Sequence, residues 1–340
     1  MISNCSAFQG GFGLPPSESI EIPVAYAEWE LSETNASIAI TPDAKLIFLS
    51  YNRSMEVYKQ NESGDGYSRR GRFEERSAIF NGSKFIRVSD DGKFLACCNA
   101  FGQLHLFQIR EDDRLDDVSD HKLDVSSKCN VTANANLTKF AYMDSHAHQV
   151  VVFDVTKDAI VQRFDLTSEG GGTEALKLSR SGHQLLVTDG EYCVVYDTAT
   201  GEPIQSISIN ERSRKRLVSP DGKLLVNTNE AIYDLAAGTQ TKLETIVFEI
   251  GLTNTDWMLQ HSTADRKLVA RKISTGETQP IEFWTQPKSI ASWDFSERCG
   301  RAVFTETFTK RAYVVQFPVA SDLPEVIPSP FKRADSSNKK

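Results

Sequence analysis

Two markers recur in step through seven units of this 340-residue chain. One is a polar tight turn between short apolar runs, and the other is an aromatic that ends a later alternating run. Their spacing averages about 43 residues, the range of a four-stranded propeller blade. The runs between them are short, β-branched and aromatic, bounded by Gly, Asn and Asp, which leaves no room for long helices. Together these observations predict an all-β fold: a seven-bladed β-propeller of four-stranded antiparallel blades, its ring closed by an N-terminal strand. The expected boundaries are a flexible lead-in over 1–19, the propeller over 20–318 and a disordered Pro-rich, basic tail over 319–340.

The turn marker reads Thr41-Pro42-Asp43-Ala44-Lys45, Ser89-Asp90-Asp91-Gly92-Lys93, Ser179-Arg180-Ser181-Gly182 and Ser219-Pro220-Asp221-Gly222-Lys223. Weaker forms begin at Ala133, Thr253 and Ser296. Pro presets φ, Asp bonds back to nearby amides and Gly supplies positive φ. The aromatic marker falls at Tyr58, Phe107, Phe153, Tyr196, Tyr233 and Phe317, with Arg271 in its place in the sixth unit. Between the markers lie strand-like runs such as Leu46-Ile47-Phe48-Leu49, Val150-Val151-Val152-Phe153 and Cys193-Val194-Val195-Tyr196. Asp197–Glu202 and Ile273–Glu277 read as two further hairpin turns.

A propeller must also protect the strand edges of its first and last blades. The segment Ile20–Leu31 has partial alternation, and its Pro23 suits only an edge strand, so it is predicted to pair outside Ala312–Phe317.

Ser219-Pro220-Asp221-Gly222-Lys223 followed by Tyr233-Asp234, Tyr196-Asp197 followed by Thr200-Gly201, and Phe153-Asp154 resemble the WD-repeat propeller family, here in diverged form. The resemblance covers about Ile20 to Pro318. No unit carries the Gly-His pair or the Trp-Asp pair at the family's positions. The family's structural Asp, six residues before its Trp, is Asn52, Phe101 and Ala147 in the first three units. The resemblance therefore implies blades held by apolar packing more than by the family's buried hydrogen-bond chain.

Composition narrows the function. A net charge of −8 argues against general affinity for phosphate backbones or anionic lipid, and no apolar run reaches the 18 residues or so that a spanning helix needs. Neither a membrane nor a nucleic-acid partner is expected. Met1–Ser17 shows no secretory pattern, and the six Cys have no C-x-x-C or zinc spacing, which points to reduced thiols and a cytoplasmic setting. Seven of the fourteen Asn open N-x-Ser/Thr triplets, the counter-signal, since in a secreted chain they would be glycosylation acceptors.

The chain offers little for catalysis. His146-x-His148 would put two imidazoles on one strand face but lacks a third ligand in its unit. Gly170-Gly171-Gly172 has no lysine behind it to make a phosphate loop, and no G-x-S-x-G elbow occurs. Cys97-Cys98 alternate faces and read as separately buried thiols. The charged clusters Arg69–Arg72, Arg212–Arg216 and Glu111–Asp117 read as solvated segments. No catalytic residue, metal or cofactor is assigned.

By analogy with the fold, the expected function is a non-catalytic protein–protein interaction scaffold or adaptor. The alternative is a lactonase- or hydrolase-like propeller enzyme with a central-channel site. The resemblance implies that partners meet the loops between the second and third strands: Ser50–Ser54, Asn99–Gln103, Asp144–Gln149, Asp189–Tyr192, Asn227–Ala231, Ser262–Lys267 and Thr305–Arg311. Aromatics and arginines anchor interfaces, so the expected partner-binding residues are Tyr51, Arg53, Phe101, His146, His148, Tyr192, Arg266, Phe308 and Arg311.

Overall fold

The computed structural model describes residues 23–33, 36–51, 54–73, 85–123, 130–144, 149–166, 175–189, 192–209, 216–219, 222–227, 231–242, 247–253, 255–262, 267–306, 309–319 and 323–331. Among these it contains strands and turns and no helix. Strand β1 is Val24–Glu30. The first blade follows as β2 (Ser37–Ile40), β3 (Leu46–Ser50), β4 (Met55–Gln60) and β5 (Tyr67–Phe73), and the second as β6 (Phe85–Val88), β7 (Phe94–Cys98), β8 (Gln103–Ile109) and β9 (Leu115–Lys122). The third is β10 (Val131–Ala133), β11 (Lys139–Asp144), β12 (Gln149–Asp154) and β13 (Ala159–Asp165), and the fourth is β14 (Leu176–Leu178), β15 (Gln184–Asp189), β16 (Tyr192–Asp197) and β17 (Pro203–Ser208). The fifth is β18 (Arg216–Val218), β19 (Leu224–Asn227), β20 (Ala231–Asp234) and β21 (Thr239–Lys242). The sixth is β22 (Val247–Leu252), β23 (Trp257–Ser262), β24 (Leu268–Lys272) and β25 (Thr278–Pro280), and the seventh is β26 (Ser292–Ser296), β27 (Arg301–Thr305) and β28 (Arg311–Gln316).

Every sheet is four-stranded and antiparallel, and six of the seven are meanders of consecutive strands, so the chain is a seven-bladed β-propeller. The seventh blade borrows its fourth strand. β1 pairs antiparallel outside β28, from Val24 opposite Gln316 to Glu30 opposite Arg311, which is the pairing expected of the N-terminal segment. The second-to-third-strand connections all fall in the intervals anticipated from the sequence.

The turn marker has one shared geometry. In five blades the first residue of the turn lends a side-chain oxygen to the amide five residues on: Thr41 to Leu46 at 3.0 Å, Ser89 to Phe94 at 2.9 Å, Asn134 to Lys139 at 3.0 Å, Ser179 to Gln184 at 3.1 Å and Ser219 to Leu224 at 2.9 Å. The fourth residue takes positive φ, and it is Gly92, Gly182 and Gly222 in three blades but Ala44 and Leu137 in two. The weak turn in the third blade therefore starts at Asn134 and uses an amide oxygen where the others use a hydroxyl.

The aromatic marker also has a structural cause. At Tyr58, Phe107, Phe153 and Tyr196 the register with the fourth strand slips by one residue, leaving a β-bulge on the outer strand. The ring then packs against the outer strand of the preceding blade: Tyr58 on Trp29 at 5.3 Å between centroids, Phe153 on His121 at 5.7 Å and Tyr196 on Phe164 at 4.8 Å. Neighbouring blades diverge outward, so a large side chain is needed there to fill the wedge.

The chain divides into two compact units, 1–74 with 213–324, and 75–212 with 325–340. The first unit holds blades one, five, six and seven. Its core joins Trp29, Ile47, Leu49, Tyr58 and Val314 in one cluster, and Trp257, Phe283, Phe304, Tyr313 and Phe317 in another. Its first and seventh blades are stitched at their inner strands, where the Ile38 amide donates to Ser292 Oγ at 3.1 Å and the Ile40 amide to Asp294 at 2.8 Å. Ser296 Oγ donates to the Pro42 carbonyl at 2.6 Å, and Arg298 donates to the Pro324 carbonyl at 3.0 Å.

The second unit holds blades two, three and four. Its clusters gather Phe94, Leu106, Phe140 and Val151 between the second and third blades, and Val152, Phe164, Leu178 and Leu185 between the third and fourth. Arg87 donates to the Ala133 carbonyl at 3.0 Å, and the Leu178 amide donates to Thr132 Oγ1 at 3.3 Å. The first turns are themselves chained: the Asp90 amide donates to the Ala135 carbonyl at 2.8 Å, and the Ala135 amide to the Arg180 carbonyl at 2.9 Å. Where a free tail was expected, residues 325–331 are hydrogen bonded to these turns.

The turn geometry orders three substitutions. Gly222 has positive φ and open space around its missing β-carbon, so Gly222→Ala costs only the left-handed backbone, about 1 kcal/mol. At Gly182 a β-carbon would also meet Asn134 at 3.0 Å, and at Gly300 it would lie 2.5 Å from the Phe317 carbonyl oxygen. Urea unfolding is expected to rank the losses Gly300→Ala above Gly182→Ala above Gly222→Ala, with the first exceeding about 2 kcal/mol.

Candidate functional site

In a meander the second-to-third-strand turns and the connections between blades share one end of every sheet. In the second unit this end carries two large exposed aromatics. Phe101 is 57% exposed and Tyr192 is 51% exposed. The turn bearing Phe101 is rigid. Asn99 Oδ1 accepts the amides of Phe101 at 2.9 Å and Gln103 at 3.0 Å, and Gly102 takes a φ of 77° to let the chain return. Tyr192 opens β16, paired with Asp189 on one side and Ser208 on the other. His146 and His148, expected between these two aromatics, lie outside the described residues. Asp144, which precedes them, is buried at the end of β11 and faces Arg163 at 3.7 Å.

In the first unit the expectations divide. Tyr51 is 1% exposed, so it is a core residue and not a contact residue. Its hydroxyl donates to Glu56 Oε2 at 3.1 Å, the Tyr58 hydroxyl donates to the same oxygen at 3.0 Å, and Arg69 closes on Oε1 at 2.9 Å. Burial, followed by the Glu56 charge, pushes both tyrosine hydroxyls far above the ordinary range. The correction has a simple cause: alternation along β3 continues one residue past the strand, carrying the Tyr51 ring into the core that holds Ile47 and Leu49.

Arg311 begins β28, where its guanidinium donates to Glu28 at 3.2 Å and to Thr285 Oγ1 at 3.1 Å. It thereby fastens β1 and the connector before the seventh blade to one point. Arg53, Arg266 and Phe308 lie outside the described residues. The first unit does show an exposed aromatic that the sequence reading passed over: Trp284, 50% exposed, in the connector between β25 and β26. Its signal was a tryptophan beside Phe283, whose own ring turns inward against Tyr313 at 5.4 Å.

A second arrangement in the second unit was also missed. On β9, Ser119 and His121 lie two residues apart and so point to one face. His121 Nδ1 is 2.7 Å from Asp158 Oδ1, and His121 Nε2 is 3.2 Å from Ser119 Oγ. A carboxylate only accepts, so in the neutral ring Nδ1 carries the proton and Nε2 accepts from the serine hydroxyl. This is the hydrogen-bond order of a Ser-His-Asp relay. Asp158 sits at φ 49° in the turn after β12, and nothing in the sequence near it announces His121, 37 residues earlier.

Among the described residues, no three His, Cys, Asp or Glu side chains gather as a metal site would require. Cys97 and Cys98 are both buried, and burial pushes the Cys98 thiol up to about 12.

The Glu56 cluster is open to a stability test. Glu56→Ala leaves two buried hydroxyls without an acceptor and is expected to cost about 3 kcal/mol in urea unfolding, whereas Arg69→Met, which removes a half-exposed partner, costs under about 1 kcal/mol. Equal losses would show that the tyrosine hydroxyls do not depend on the carboxylate.

No protein-family model matches the chain, and no curated protein matches it.

Proposed function

We propose that the protein is a non-catalytic interaction scaffold that engages a protein partner at the second-turn end of its blades. The observation that carries this reading is a pair of exposed rings at this end of the second unit, Phe101 on a locked turn and Tyr192 at the head of β16. Leaving a large apolar ring in water forgoes about 2 kcal/mol of burial, and binding a partner recovers it. Because the Asn99 bonds hold the Phe101 turn before any partner arrives, little conformational entropy is lost on docking. In the first unit Trp284 and the anchored Arg311 supply the residue types that dominate interface energies. The resemblance to WD-repeat propellers supports an adaptor role, and the expected cytoplasmic setting agrees with it.

One observation favours the alternative, a propeller hydrolase. Ser119, His121 and Asp158 have the bonding order of a nucleophile, its base and the group that orients it. Ser119 and His121 lie on the outer strand of the second blade, and Asp158 lies in a turn of the third.

Two experiments separate the readings. In affinity purification with quantitative mass spectrometry, Phe101→Ala with Tyr192→Ala is expected to lower partner recovery at least fivefold at an unchanged unfolding temperature; recovery equal to wild type would mean that these rings are not the contact. A fluorophosphonate probe is expected to leave Ser119 unlabelled. Labelling that disappears in Ser119→Ala, together with loss of ester hydrolysis in His121→Ala, would move the assignment to the hydrolase.

A further inference from the structure

The opposite end of the second unit, where the first turns lie, already holds an extended peptide: residues 325–331 of the chain itself. The Ile327 amide donates to Asp90 Oδ2 at 2.7 Å, and the Ser329 amide donates to Asp91 Oδ2 at 3.0 Å. Ser329 Oγ donates to the Asn136 carbonyl at 3.0 Å, and Arg180 donates to the Glu325 carbonyl at 3.0 Å. The Phe331 ring stands edge-on to Phe94 at 5.2 Å. These contacts come from the first turns of blades two, three and four, the same turns that are chained through Asp90, Ala135 and Arg180.

The fit is chemical as well as spatial. Pro328 and Pro330 have no amide hydrogen, so from Ile327 to Pro330 the segment has two backbone donors, and both meet a carboxylate. Asp91 divides its work between its oxygens. Oδ1 accepts from Ser89 Oγ at 2.6 Å and from the Lys93 amide at 3.2 Å, which holds the turn, while Oδ2 is left for the peptide. Arg180 and Asp90 are 2.7 Å apart, which sets both side chains in place for the peptide backbone. The prolines stiffen the ligand, so docking loses little chain entropy. Yet Glu325, Val326, Pro328 and Pro330 remain exposed, and the hold rests on four hydrogen bonds and one ring edge. Such a segment stays in place because it is tethered, at an effective concentration on the order of millimolar.

We propose that the first-turn end of blades two to four is a peptide-docking site, that residues 325–331 fill it in cis, and that its other occupant is an extended partner segment of the same chemistry. That segment has an apolar residue, then Pro-Ser-Pro and an aromatic, and it reads Asp90 and Asp91 through its backbone amides. The site lies at the other end of the blades from Phe101 and Tyr192, so the two surfaces are independent.

The test uses full-length protein and a fluorescent peptide with the sequence of residues 325–331. Ile327→Pro with Ser329→Pro removes both amide donors from the tail and vacates the site without touching any blade. By fluorescence anisotropy this variant is expected to bind the peptide at least tenfold more tightly than wild type, and adding Asp90→Ala to it abolishes binding. Equal binding by variant and wild type, binding by neither, or binding that survives Asp90→Ala would overturn the proposal. In wild type, excess peptide is expected to speed hydrogen exchange at the Ile327 and Ser329 amides, and unchanged exchange at saturating peptide would count equally against it.

Discussion

Much of this molecule hangs on one small device, a side-chain oxygen at the head of the first turn that accepts the amide five residues later. It closes the hairpin between the first and second strands, and it is supplied by Thr41, Ser89, Asn134, Ser179 and Ser219 in five blades. With the turn closed, the residue after that oxygen is free to use its backbone on the neighbouring blade, as Asp90, Ala135 and Arg180 do. A short meander has little core of its own. In blades two to four, locking each turn and tying it to the next lets neighbouring sheets share an apolar interior.

Among the described residues the polar interior differs from blade to blade. In the first blade the polar interior is a carboxylate, Glu56, between two tyrosines. In the seventh, Glu306 takes an equivalent part, accepting from the Tyr313 and Thr309 hydroxyls and from the Lys288 amide. Elsewhere the inner strands are bridged one blade to the next by whichever polar side chain is at hand: Arg87, Thr132 or Asp294. The common requirement is that buried backbone groups find partners, and unrelated side chains meet it from blade to blade. For that reason no repeated polar motif other than the turn itself is visible along the chain.

The candidate sites were less legible than the fold, for identifiable reasons. The turns that would present a contact residue could be placed from the markers, and Phe101 and Tyr192 do stand out of them. Whether a ring on such a turn points outward is decided by where the strand's alternation stops, and at Tyr51 it runs on into the core. Arg311 has the residue type of an anchor, but it binds Glu28, far off in sequence on the borrowed strand. The Ser119, His121 and Asp158 relay and the seat for residues 325–331 each join segments from different blades. A proline-rich stretch reads as solvated until its few amides are matched to acceptors elsewhere in the chain.

Local chemistry by itself determined the number of blades, the strand intervals and the strand that completes the last sheet, because turns, alternation and bulges are properties of neighbouring residues. The aromatic marker belongs with these, since Tyr58, Phe153 and Tyr196 each stand at a bulge and fill the gap beside the preceding blade. Only the tertiary structure decided which polar groups meet: Glu56 with Tyr51 inside the first blade, Asp158 with His121 between two blades, and Asp90 with Ile327. Those partners lie between five and 237 residues apart along the chain, and a hydrogen bond leaves no trace in sequence spacing once packing, not chain proximity, brings its two ends together.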